Sequence, residues 1–125
     1  MNYLIDLNII FDYYNNKRRA LFPHSVEVIE DLLKDNSNNV YISSSSIDNL
    51  EFTKAQELKR TFGFTSKIVL KSFIENILSK FKIAKIPSYL EIDYNNIEDS
   101  QVIASAKLVN AKLITRDKLI MFFRK

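Results

Sequence analysis

The sequence has little of the chemistry on which many enzyme classes depend. Its 125 residues include no cysteine, no tryptophan, one histidine, one glycine and two prolines. The absence of cysteine excludes disulfides, thiolate metal sites and cysteine nucleophiles. The single histidine, His24, argues against a histidine-based zinc cluster or a Ser-His-Asp triad, and the single glycine, Gly63, argues against a glycine-rich phosphate loop. Catalytic chemistry is therefore expected to rest on carboxylates, hydroxyls, amides and lysines.

Targeting signals and long apolar runs are also missing. The N-terminal segment contains an acid, Asp6, and no basic flank before an apolar stretch, so it does not resemble a signal peptide. No stretch of about 18 apolar residues occurs, which predicts no transmembrane helix. Hydrophobic residues make up 46% of the chain and charged residues 26%, which is enough apolar surface for a folded core. We therefore expect one cytoplasmic domain over residues 1–125.

The net charge of +3 is unevenly distributed along the chain. Residues 1–53 carry −4, residues 54–85 carry +6, residues 86–106 carry −4 and residues 107–125 carry +5. Chance clustering of charges on solvated helix faces is one explanation. The other is an acidic centre bordered by basic surface, which suits the binding of a polyanion.

Short apolar segments alternate with helical patterns. Strands are expected over 3–5, 40–42 and 111–115, with an extended segment over 83–86. Helices are expected over 9–14, from an N-cap at Ser25 through Leu33, from caps at Ser43–Ser46 to about Arg60, from Ser66 through Leu78 and over 97–109, with a loop over 17–23. This alternation predicts an α/β fold with a short, mostly parallel sheet flanked by helices. Ligands bind such sheets beyond the carboxyl ends of the strands.

Acidic residues stand where these strands end. Asp6 directly follows the first strand, Asp117 lies just past the last, and Glu98 and Asp99 begin a predicted helix. Two or three carboxylates can hold a hard divalent cation, and such ions promote phosphodiester hydrolysis. Structural roles are open alternatives. Asp99 could stabilise the start of its helix by interacting with the helix dipole, and Asp117 could be a turn residue. Asp6 has apolar neighbours, so its carboxylate should meet a cation, a hydrogen-bond donor or a metal.

At these residues the sequence resembles the PIN-domain ribonucleases, the fold of the VapC-type toxins. Tyr3–Ile10 (YLIDLNII) resembles the family's opening, in which an apolar strand leads into Asp, one residue, Asn and further apolar residues. Ile97–Ala106 (IEDSQVIASA) is similar to the family's Glu-Asp followed by an alanine-rich helix. Leu113–Asp117 (LITRD) resembles its closing strand and final acid. The match spans nearly the whole chain in the expected order.

The resemblance implies a function and a set of site residues. It implies that Asp6, Asp99 and Asp117 are catalytic acids that bind Mg²⁺ or Mn²⁺, with Asn8 and Thr115 as polar supports. The activity implied is hydrolysis of RNA phosphodiesters by a metal-activated water, without a covalent enzyme intermediate. The family also implies an antitoxin protein as a partner, and a homodimer.

One position departs from the family pattern. The family usually has a glutamate on the helix after the second strand, and that position falls on Asn49, with Asp48 and Glu51 as substitutes if the alignment shifts by one or two residues. An amide oxygen can bind a hard cation but adds no negative charge. Asn49 is therefore the expected fourth metal ligand.

The alternative is a PIN-like module that binds RNA or a protein without cutting. A phosphoacceptor receiver domain fits poorly, because no mid-chain strand ends in a suitable aspartate.

The lysine-rich segment from Lys54 to Lys85 also has two interpretations. Its lysines could simply form the solvent-exposed faces of two helices. Beside a nuclease site, they could instead guide RNA phosphates toward the acids.

Overall fold

Helices and strands alternate along the chain in the computed structural model, which describes residues 1–86, 97–115 and 121–122, with side chains described for 1–86 and 101–115. The strands are β1 (Asn2–Ile5), β2 (Asn39–Ser43), β3 (Lys82–Ala84), β4 (Lys112–Ile114) and β5 (Met121–Phe122). The helices are α1 (Leu7–Tyr14), α2 (Asn16–Leu21), α3 (Pro23–Lys34), α4 (Ser44–Phe62), α5 (Lys67–Lys80) and α6 (Ile97–Leu108). None of the helices in these ranges combines the length and apolar character needed to cross a bilayer.

The strands form one sheet in the order β3-β2-β1-β4-β5. The first four of these are parallel to one another, and β5 pairs antiparallel with β4. This arrangement confirms the predicted α/β fold with a mostly parallel sheet. The central strand, β1, has a neighbouring strand on each side, and its apolar, non-alternating sequence is typical of a strand buried on both faces.

Helices cover both faces of the sheet, and β1 contributes to both cores. Successive side chains of a strand point to opposite faces. Ile5 therefore packs into the larger core, together with residues such as Ile29, Ile42 and Ile77. Leu4 packs into the smaller core with Val102 and other residues of α6, β3 and β4. Leu4 and Ile5 are fully buried.

Two predictions between α1 and β2 were wrong. Residues 17–23 do not form a loop, because α2 occupies most of that segment. The Asn15 side chain accepts a hydrogen bond from the Arg18 N–H at 3.1 Å and so caps α2. The N-cap expected at Ser25 is also wrong, because α3 begins at Pro23, whose fixed φ and missing N–H suit the first helical position.

The predicted ends of α4 and α5 are confirmed. Ser43 and Ser66 cap the two helices by accepting N–H bonds from Ser46 and Val69. Helix α4 ends at Phe62, two residues beyond the expected end near Arg60, and Gly63 follows it in the left-handed conformation with φ of 81°. Serine caps and a glycine stop are local signals, and here they agree with the tertiary structure.

A buried acid joins the first three helices. Asp12 of α1 is completely buried. One of its carboxylate oxygens accepts from the Ser25 hydroxyl of α3 at 2.9 Å, and the other lies 3.0 Å from Nε of Arg18 in α2. A buried carboxylate is costly without such partners. Ser25, expected to be a cap, thus serves as a hydrogen-bond donor in the interior.

Replacing this acid should destabilise the fold. We expect Asp12→Ala to lower the free energy of unfolding by about 1–3 kcal/mol, because the buried Ser25 hydroxyl and the Arg18 guanidinium lose their acceptor. Urea denaturation measures the change. Asp31→Ala is the matched control, since Asp31 is an exposed acid of α3 whose partner Lys34 is 3.8 Å away, and it should change stability by less than about 0.5 kcal/mol. Equal effects of the two variants would contradict a structural role for Asp12.

Candidate functional site

The carboxyl edge of the sheet brings three polar residues into one row. The pairing of Leu4 with Tyr41, extended by two residues, sets Asp6 beside Ser43. The Asp6 N–H donates to the carbonyl of Ile114 at 2.9 Å, which sets Asp6 beside Thr115 on its other side. Neighbouring strands are about 4.8 Å apart. By this register Asp6 lies between two hydroxyl-bearing residues, Ser43 and Thr115, at the end of the central strand.

Asp6 occupies the junction between β1 and α1. Its backbone is extended, with φ of −67° and ψ of 151°, and its carbonyl accepts the N–H groups of Ile9 and Ile10 at 3.1 and 3.2 Å. The residue is partly buried between Ile5 and Leu7, which are both buried. The start of a helix carries partial positive charge, which favours a carboxylate at this point. Asn8, in the first turn of α1, is exposed at the same edge.

Two further helices begin at this edge. Helix α4 starts at Ser44, immediately after β2. Helix α6 ends at the opposite edge, where the Asn2 amide at the start of β1 donates to the carbonyl of Val109 at 2.8 Å. Its first turn, which contains Glu98 and Asp99, therefore points back toward the carboxyl edge. The backbone thus brings Asp99 to the same end of the sheet as Asp6, while its side chain lies outside the described residues.

A cluster of serine hydroxyls adjoins Asp6. Ser43 and Ser46 are both buried, and the Ser43 hydroxyl accepts the Ser46 N–H at 3.2 Å. It also lies 3.0 Å from the Ser45 hydroxyl and 2.9 Å from that of Ser46. The capping role predicted for this serine segment is confirmed at Ser43. Sequence reasoning missed that Ser43 is a neighbour of Asp6. The rule that sites form at strand ends, applied to β2, was the signal that could have found it.

Asn49 differs from its acidic neighbours in its surroundings. It is partly buried, and its amide nitrogen donates to the Ser45 carbonyl at 3.1 Å. Because residues three apart share a helix face, Asn49 lies on the same side of α4 as Ser46. Asp48 is exposed, and the exposed Glu51 lines a groove with Lys71 and other residues of α5. The surroundings of Asn49 therefore match the predicted site better than those of the two acids.

The predicted acid set is only partly within the described structure. Asp6 and Thr115 are brought together, whereas Asp117 and the Asp99 side chain lie outside the described residues. Among the described side chains, no three His, Asp or Glu groups form a cluster that could hold a metal ion. The assignment of Asp6, Asp99 and Asp117 as a set therefore stays a prediction.

Comparisons with known proteins support the fold. No protein-family model matches the sequence, and no curated protein sequence matches it. Among solved structures, the chain is similar to a chain in the crystal structure of VapBC2 from Rickettsia felis bound to a DNA fragment from their promoter. The TM-score is 0.60 and the sequence identity 22%, over 92% of this chain and 87% of that chain. At this identity the likeness concerns the fold alone, and the fold is the PIN-like α/β fold.

Proposed function

We propose that the chain is a metal-dependent endoribonuclease, the toxin of a toxin–antitoxin pair, that hydrolyses RNA at the carboxyl edge of its sheet. The observation that carries this proposal is the position of Asp6, at the end of the central strand between Ser43 and Thr115. The structural likeness to the VapBC2 chain, over nearly the whole length of both, supports it. An antitoxin partner and a homodimer are parts of the same proposal.

The oxygen atoms that the side chains offer at this edge suit Mg²⁺ or Mn²⁺ as ligands. Hard divalent cations prefer oxygen ligands. The described side chains in the row, those of Ser43, Asp6 and Thr115, offer only carboxylate and hydroxyl oxygens. We propose that Asp6, Asp99 and Asp117 hold the ion, with the amide oxygen of Asn49 as the fourth ligand. When bound, the ion would supply a water of lowered pKa and positive charge for the reacting phosphodiester.

The remaining groups bind and orient the substrate in this proposal. The N-terminal turns of α1 and α4 direct backbone N–H groups toward the edge, where they favour an anionic phosphate. The exposed Asn8 amide is available as a further donor to that phosphate. The strand register sets Ser43 and Thr115 on either side of Asp6. The hydrogen bond from the Asp6 N–H to the Ile114 carbonyl holds the Asp6 backbone at the start of α1 before any substrate arrives.

The second candidate function is RNA or protein binding without cleavage, and Asn49 favours it. Its amide nitrogen is committed to the Ser45 carbonyl in its own helix, and it brings no negative charge to the edge. A site with one fewer carboxylate holds a divalent cation less tightly. Such a protein would bind without turnover.

Mutation of Asp6 tests the nuclease proposal. The protein should cleave single-stranded RNA when Mg²⁺ or Mn²⁺ is present and stop when EDTA is added. We expect Asp6→Asn to slow cleavage at least about 100-fold. Loss of an outer-shell group that supports a metal ligand lowers activity by up to about 100-fold, and loss of a ligand itself should lower it at least as much. Gel analysis of a labelled oligonucleotide measures the rate, and Asp99→Asn and Asp117→Asn test the other two acids.

Asp31→Asn is the control, because it neutralises an exposed acid of α3 whose only described ion pair is with Lys34 at 3.8 Å. It should leave the cleavage rate unchanged. Full activity in Asp6→Asn would overturn the assignment of the site. RNA binding that ignores divalent metal, with no turnover under any condition, would decide for the binding module.

Restoring the family's acid at position 49 is a separate test. We expect Asn49→Glu to lower the Mn²⁺ concentration for half-maximal cleavage about 10-fold, because it adds a charged ligand to the site. Metal titration of the cleavage rate measures this change. Asp48→Asn and Glu51→Gln are the controls and should leave the titration unchanged. If Glu51→Gln abolishes activity while Asn49→Glu changes nothing, the fourth ligand is Glu51 and not Asn49.

A further inference from the structure

A polar cleft opens away from the carboxyl edge, between the C-terminal end of α1, α2 and α4. Its volume is about 470 Å³. Tyr14 and Lys17 lie on one wall, and Lys54, Glu57 and Arg60 lie on the other. The cleft is open to solvent and is distinct from the row formed by Ser43, Asp6 and Thr115. We call it the basic cleft.

The basic cleft carries positive charge that its own acid does not neutralise. Lys54 pairs with Glu57 at 3.3 Å and lies over the ring of Phe73 at 5.3 Å. Lys17 and Arg60 are exposed, and no carboxylate among the described residues pairs with either. Two cations from distant parts of the sequence thus meet at one cleft. Converging cations of this kind attract anions.

Tyr14 adds no negative charge to this cleft. Burial and the neighbouring Tyr13 raise the pKa of the Tyr14 hydroxyl above its ordinary value. The hydroxyl donates to Oδ1 of Asn76 in α5 at 3.1 Å. Tyr14 is therefore neutral throughout the physiological range, and the cleft keeps its positive charge.

Both long walls of the basic cleft lead back to the carboxyl edge. Helix α1 begins next to Asp6 and reaches Tyr14 after eight residues, a rise of about 12 Å. Helix α4 begins next to Ser43, and Lys54 lies about 15 Å along it. The two helices run from the edge to the cleft. A polymer leaving the edge along them would arrive at Lys17 and Arg60.

We propose that the basic cleft binds the phosphodiester backbone of single-stranded RNA, at a distance from the bond that is cut. Its volume lies in the range of small-molecule sites, about 300–1,000 Å³, which is enough for a short stretch of one strand. Nucleic acid presents a regular row of negative charges to such a cleft. The inference rests on the proposed function for the identity of the substrate. It adds a subsite that holds the strand beyond the catalytic edge.

RNA binding can be measured separately from cleavage. The protein carries Asp6→Asn in every sample and the buffer contains EDTA, and fluorescence anisotropy follows a short labelled single-stranded RNA. We expect Lys17→Gln combined with Arg60→Gln to weaken binding about 10-fold at low salt. Because each single-strand phosphate contact contributes about 0.7, the slope of log affinity against log salt should fall by about 1.4.

The matched control is Lys34→Gln combined with Lys71→Gln, which removes two exposed lysines on α3 and α5. It changes the net charge equally and should alter affinity by less than about 2-fold, the scale of non-specific screening effects. Both double variants should keep the melting temperature of the parent. Equal losses in the two double variants would overturn the assignment, because the effect would then be one of net charge.

Three further outcomes discriminate between ligands. An equal proportional loss with single-stranded DNA supports contacts to backbone phosphates, whereas a loss confined to RNA would overturn them. Unchanged RNA affinity with lost binding of poly-glutamate would overturn the proposal in favour of an acidic protein segment. If the protein with Asp6 intact cleaves no RNA in Mg²⁺ or Mn²⁺, while RNA affinity falls in the Lys17 and Arg60 double variant and not in its control, the nuclease function is refuted and the basic cleft is supported.

Discussion

The parallel pairing of β1 with a strand on each side is the constraint on which the rest of the structure depends. It places β1 at the centre of the sheet, where helices cover both faces, so Leu4 and Ile5 enter different cores. It also uses the Asp6 N–H, which donates to the Ile114 carbonyl just before the chain turns into α1. The backbone of Asp6 is thus fixed by the sheet rather than by a loop. A carboxylate held in this way needs little reorganisation to meet a ligand, which is the condition for a preorganised site.

Among the residues that the structure describes, the first acidic block and the first basic block of the sequence do not form two separate surfaces. Most described acids of residues 1–53 lie away from the carboxyl edge, on α3, on the exposed part of α4 or, like Asp12, in the interior. The basic cleft draws Lys17 from an acidic block and Arg60 from a basic one. The directions of α1 and α4, rather than the charge blocks, therefore decide which of these charged residues become neighbours in the fold. Net charge along a sequence indicates a polyanion only weakly, and the convergence of two cations indicates it more strongly.

Sequence reasoning succeeded where the signal was local and failed where it depended on tertiary contacts. Apolar runs predicted three strands and an extended segment that overlaps β3, and serine caps with Gly63 predicted α4 and α5. Helix α2 was not predicted, because none of its six residues is buried and its sequence therefore shows no helical spacing of apolar residues. Asp6 was singled out by the strand-end rule, but its neighbour Ser43 was not, because the register of β1 against β2 is non-local. The pairing of Lys17 with Arg60 was beyond reach for the same reason, since only the fold brings α2 and α4 together.

The absence of apolar anchoring in α2 also bears on how the basic cleft is held. Asn15 caps the helix, the Arg18 guanidinium reaches Asp12, and the Arg19 guanidinium donates to the Tyr13 carbonyl at 2.8 Å. Polar contacts therefore fix α2 where hydrophobic packing does not. Lys17 precedes these two arginines, so its position depends on the buried carboxylate of Asp12. The buried Asp12 thus supports one wall of the basic cleft. The same contacts of its carboxylate stabilise the junction of α1, α2 and α3 and position the surface cation Lys17.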